Sequence, residues 1–233
     1  MKITTRQFRI LTDINLIWDF FVEIYDREHR NGVAAPFFEY AISSSWMHTS
    51  YQFLNRIWFD EDRVVAFVFN ESPVTDIYFK VRPGYEFLAG ELVDYAINCM
   101  PNFEGKQQLM LFNGQEFLIE EVKRRGFSLA YDYESREFDY RNELNYPLPE
   151  GFHFVNPSEA DPVKLAECCW YGFDHGKEKP FENWDRQDDS MDWTPEKGYK
   201  GILRAMMAPS PHATYGYDVI IADDKGKYVC YSG

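Results

Sequence analysis

The densest group of residues able to do chemistry lies in Asp174–Asp192. Seven carboxylates there (Asp174, Glu178, Glu182, Asp185, Asp188, Asp189 and Asp192) face only three cations, Lys177, Lys179 and Arg186. His175 and Trp184 stand among them. Carboxylates beside an indole suit a cationic amine, through ion pairing, accepted N–H bonds and cation–π contact. A solvated acidic surface loop would have the same composition. Asp76 opens an apolar run and reads either as a general base or as a hydrogen-bonding strand cap. Ser43-Ser44-Ser45 has no His and Asp placed to activate a hydroxyl, so nucleophilic catalysis finds no support. Tyr131, Tyr133 and Tyr140 read as a packing ladder on a sheet. Cys99, Cys168, Cys169 and Cys230 lack C-x-x-C spacing, and the five histidines are scattered, so no metal site is read. The cysteines are expected to be reduced, mostly buried thiols of a cytoplasmic protein.

The elements that must position these residues follow from periodicity. Asp76–Val81 alternates as a strand with Ile77, Phe79 and Val81 on one face. Pro83-Gly84 breaks it, and Leu88, Leu92, Tyr95, Ala96 and Cys99 then mark a helical stripe. A strand–turn–helix of this kind can present backbone N–H groups to an anion, or be a plain element of a mixed sheet. Upstream, Lys2–Leu11 predicts a strand, and Asp13 predicts the N-cap of a helix running to about Arg27. Phe37–Leu54 predicts helical pieces. Gln52–Phe59 and Arg63–Asn70 predict a hairpin around Asp60-Glu61-Asp62. Downstream come a strand at Gln107–Phe112, a helix at Gln115–Arg125 closed by Gly126, and strand material at Phe127–Tyr140.

Arg141–Gly151 reads as a linker. Beyond it, Phe152–Val155 predicts a strand and Asp161-Pro162 a helix start. A helix is expected at Gly198–Met207 and a hairpin at Tyr217–Ser232. Both halves open with strand, Asp-capped helix, polar stretch, second helix and acidic-turn hairpin, which is the pattern of an internal repeat. The chain therefore predicts a mixed-sheet α/β protein of two domains, residues 1–145 and 146–233. The net charge of −14 would repel a polyanion, so no nucleic-acid partner is expected. No apolar run reaches the roughly 18 residues of a membrane span.

The element order, together with Val81-Arg82-Pro83-Gly84-Tyr85, Glu91–Ala96, Val122–Phe127 and the junction Pro149-Glu150-Gly151-Phe152, resembles tandem members of the GNAT superfamily of acyl-CoA-dependent N-acyltransferases. The resemblance covers residues 1–141 as one domain and 147–233 as the front part of a second. It implies acetyl-CoA as cofactor and transfer of an acetyl group to a primary amine. A backbone N–H near Val81 would hold the oxyanion, with Glu86, Ala89 and Gly90 at the pyrophosphate turn. Asp174, His175, Glu178, Glu182 and Trp184 would line the acceptor wall. The chain departs from the family where it matters for phosphate: Glu86 replaces a cation, Ala89 replaces the first glycine unless a shift promotes Gly90, and Glu91 adds a second acid. Val122 stands where the family often has a Tyr acid. The resemblance thus leaves open an acetyltransferase acting on a small cationic amine and a non-catalytic module that kept the fold and lost the cofactor. The final hairpin is expected to be the front of a longer domain, its apolar face covered by the N-terminal unit or by a second copy in a homodimer.

Overall fold

The computed structural model describes residues 2–43, 49–71, 74–134, 136, 138–139, 141–177, 180–181, 212 and 218–232. The chain divides into two units, Met1–Leu129 and Ala130–Gly233.

The first unit is built on one five-stranded mixed sheet. Its strands are β1 (Ile3–Gln7), β2 (Arg56–Asp60), β3 (Arg63–Asn70), β4 (Asp76–Val81) and β5 (Gln108–Met110), in that spatial order. Neighbours are antiparallel except β4 and β5, which run parallel. Every residue of β4 is buried, as expected of a central strand covered on both faces. One face carries α1 (Ile10–Glu23) and α2 (Ala35–Ser43), which bury Ile17, Phe20, Phe21 and Phe38 against Phe67 and Phe69. The other carries α3 (Ala89–Cys99) and α4 (Glu116–Arg124), with Leu92, Val93, Ala96 and Leu118 on Val65, Val68 and Phe79. Each such side chain taken fully out of water contributes about 1.5–3 kcal/mol. The acidic turn between β2 and β3 is present, with Glu61 at φ +55°.

Three local expectations are corrected. Helix α1 begins at Ile10 and not after Asp13, with Arg9 at the N-cap. Asp13 reaches back instead: it accepts the Arg9 N–H at 2.8 Å and both Arg6 nitrogens at 2.5 and 2.9 Å. That is the back-reaching role of a capping box, with a guanidinium added. Thr49–Leu54 forms a 3₁₀ turn, so β2 starts only at Arg56. No described residue of Phe127–Tyr140 is in a strand, and Leu129, Tyr131 and Tyr133 are exposed. Their alternation supplies a pleated face, but among the described residues no strand edge pairs with it.

The second unit has a three-stranded antiparallel sheet in the order β6 (Phe152–Val155), β7 (Val219–Asp223), β8 (Tyr228–Ser232). Helix α5 (Pro162–Gly172) lies on one face and buries Leu165, Ala166 and Trp170 with Ile220, Ala222 and Tyr228. Asp161 caps it as expected, accepting from Val163 N–H at 2.8 Å. The sequence β6–α5–β7–β8 repeats β1–α1–β2–β3 in order and strand pairing. The helix expected at Gly198–Met207 lies outside the described residues. Among the described residues no helix is long and apolar enough to cross a membrane.

Candidate functional site

Strands β4 and β5 pair only from Asp76↔Gln108 to Tyr78↔Met110. Past that point the edge of β4 needs other partners, and it finds two. The Gln115 side chain, fully buried at the start of α4, donates to Phe79 O at 3.3 Å and accepts Phe112 N–H at 3.1 Å. Val81 N–H donates to Asn31 O at 3.3 Å. Asn31 belongs to the loop 26–33 between α1 and α2. Gly32, at φ +99°, lies so close that a Cβ there would sit 2.3 Å from Phe79 O. A Cβ on Gly114 would likewise meet the Arg30 side chain at 2.3 Å. The loop is therefore wedged into the notch where β4 and β5 part.

Lys80 fixes that loop from beneath. It is fully buried, and its Nζ donates to Val33 O at 2.9 Å and Gly32 O at 3.3 Å, 5.1 Å from the Phe21 ring centre. Burial pulls its ammonium down to about 8. Arg82 is also buried, bonded to Val64 O and bidentate on Glu23 at 2.7 Å. Arg63 adds a third donor to Glu23, and the two guanidiniums hold its carboxyl down to about 2. Asp26 and Arg30 pair at 2.7 Å. Two shallow surface cavities of about 450 and 420 Å³ adjoin the notch and share Asn31 and Pro83.

The turn after β4 offers a pyrophosphate little. Glu86 accepts the Gly84 N–H at 3.0 Å, and Glu91 accepts Trp58 Nε1–H at 2.7 Å. Leu88 N–H is engaged by Tyr85 O at 3.0 Å. Ala89 is buried. Arg125 reaches Gly90 O at 3.1 Å, but it pairs with Asp94 at 2.7 Å and with Glu121. Among the described residues at this turn Glu86 and Glu91 are acceptors and Arg125 is already paired, an arrangement poorly suited to phosphate.

Val81, Glu86, Ala89 and Gly90 thus lie together at one end of β4 and the start of α3. Asp76 lies at the other end of β4, roughly 17 Å away at about 3.3 Å per residue. Among the described residues its buried Oδ1 has no hydrogen-bond partner, and burial raises its pKa. In the second unit, exposed Asp174 takes φ +64° and pairs with Lys177 at 2.7 Å. His175 lies 4.8 Å from Trp170, ring centre to ring centre. Glu178, Glu182 and Trp184 lie outside the described residues. All four cysteines are free thiols; contrary to expectation Cys99 and Cys230 are exposed and Cys168 and Cys169 only half-buried. Among the described residues no group of three metal-ligating side chains comes together.

Asn31, Gly32, Lys80 and Gln115 escaped the sequence reading. Lys80 alone left a signal, as the one charge inside an otherwise apolar strand pattern. No protein-family model matches the chain, and neither curated proteins nor solved structures gave a match.

Proposed function

We propose that this is an acetyltransferase-family protein of the tandem GNAT type whose first unit is a non-catalytic binding or regulatory module. The fold half of the reading is supported by the strand order of the first sheet, by its parallel pair β4–β5, and by the helix pairs on its opposite faces. The functional half is carried by one observation. The Val81 N–H, the donor that would hold an oxyanion, already donates to Asn31 O. An oxyanion hole works only with donors aimed at the reacting oxygen. Glu86 and Glu91 add like charge where phosphate would lie.

The experiment is acetyl-CoA turnover by the intact chain with a panel of primary amines. Release of CoA at the background rate is expected. Robust turnover would overturn the non-catalytic reading. The second reading, acetyl transfer to a small cationic amine, draws on the acid-rich stretch from Asp174 to Asp192. It requires that turnover fall with added salt, because exposed charges are screened over about 10 Å at 0.1 M.

A further inference from the structure

Two fully buried asparagines meet where strands of the first sheet begin and end. Asn55 stands between the 3₁₀ turn Thr49–Leu54 and β2, and Asn70 closes β3 opposite Ile77 on β4. The Asn55 main chain is engaged on both sides: its N–H donates to Gln52 O at 3.1 Å, and its carbonyl accepts from Phe8 N–H at 2.8 Å. Its side-chain Oδ1 accepts the Asn70 N–H at 3.1 Å. Only an oxygen can accept there, so the other end of that amide is a donor, Nδ2. Asn70 Nδ2 in turn donates to Val74 O at 3.4 Å, which makes the other end of its amide an acceptor, Oδ1. Among the described residues, Asn55 Nδ2 and Asn70 Oδ1 are buried without a hydrogen-bond partner. One is a donor and the other an acceptor, on two residues already joined by a hydrogen bond. Buried polar groups left unpaired are destabilising, and protein interiors meet such groups with ordered water.

We propose that this junction is a binding site for one long-lived water molecule, which accepts from Asn55 Nδ2–H and donates to Asn70 Oδ1. The chemistry selects the occupant. A cation would face the Asn55 donor, an anion would face the Asn70 oxygen, and an apolar group would leave both unpaired. Water accepts from one and donates to the other. The bridge ties the start of β2 to the end of β3. Through Phe8 N–H and Val74 O it reaches the residues that follow β1 and precede β4. The site is independent of the acetyltransferase reading, since it stands on the two amides alone.

Water–protein NOE and ROE spectra of the intact chain test it at the Asn55 side-chain amide protons. A long-lived buried water gives cross-peaks of opposite sign in the two spectra, and that is the expected result. No cross-peak, or peaks of one sign in both, as exchange with bulk solvent gives, would overturn the proposal. Asn70→Leu supplies a second arm, because it removes the acceptor and leaves the Asn70 main-chain N–H in place. The Asn55 cross-peaks are expected to vanish in this variant while the Phe8 amide stays slow to exchange. Cross-peaks that persist undiminished in the folded variant would show that the water does not bridge to Asn70 and would overturn the proposal. If the variant does not fold, the wild-type spectra decide.

Discussion

Lys80 illustrates how a single side chain links burial to a measurable pH dependence. Its ordinary value of 10.5 is lowered to about 8 in the folded protein. Between those two values the unfolded chain binds more protons than the folded one, so stability rises with pH across that window. Below about 8 the full penalty of the buried charge applies. Urea unfolding at pH 7.5, 9 and 10 is expected to show this rise, and Lys80→Met is expected to flatten it. Glu23 gives a rise of the same sign in a lower pH window, there through a stabilising charge gained instead of a buried charge lost. Its depressed pKa means that its pairing with Arg82 and Arg63 stabilises above about 4.5 and is lost as pH falls towards about 2. Glu23→Gln should lower the melting temperature at pH 7, where it leaves the buried Arg82 without its counter-ion, and the gap to wild type should close as the pH is taken down towards 2.

At the scale of elements, Gln115 is the residue on which the notch depends. Its amide bridges Phe79 O on β4 and Phe112 N–H before α4, from a site with no exposure. Gln115→Ala leaves both backbone groups without a protein partner, and a loss of about 2 kcal/mol by urea unfolding is expected. The elements themselves were largely legible in the sequence, because alternation in Asp76–Val81 and the stripe Leu88, Leu92, Ala96 are local signals of burial. The α1 start was not legible. It depends on Arg6 and Arg9 sharing one Asp13 carboxylate, which a capping rule applied at Asp13 alone does not reveal. The loop in the notch was not legible either, since the Lys80–Gly32 contact joins residues 48 apart in sequence. Phe127–Tyr140 shows the reverse case, a strand pattern whose described residues find no strand edge to pair with. Of the candidate site, the poor fit of Glu86 and Glu91 to phosphate was visible from residue type alone; the engagement of Val81 by Asn31 needed the fold.

At the scale of the whole molecule, each unit has its own core: two clusters flank the first sheet, and a third joins α5 to β7 and β8. Separate cores imply separate unfolding. Leu92→Ala, at a fully buried position, is expected to lower the stability of the first unit by about 2–5 kcal/mol and leave the second transition in place. Trp170→Ala is expected to do the converse; one transition moved by both would show a single cooperative molecule. The net charge of −14 disfavours any polyanionic ligand at either unit, acetyl-CoA included. The most direct measurement is calorimetric titration of the intact chain with acetyl-CoA at low salt. With Glu86 and Glu91 at the turn and Asn31 on the Val81 N–H, no saturable heat is expected at micromolar ligand; a stoichiometric isotherm with a micromolar Kd would contradict the closed, non-catalytic first unit.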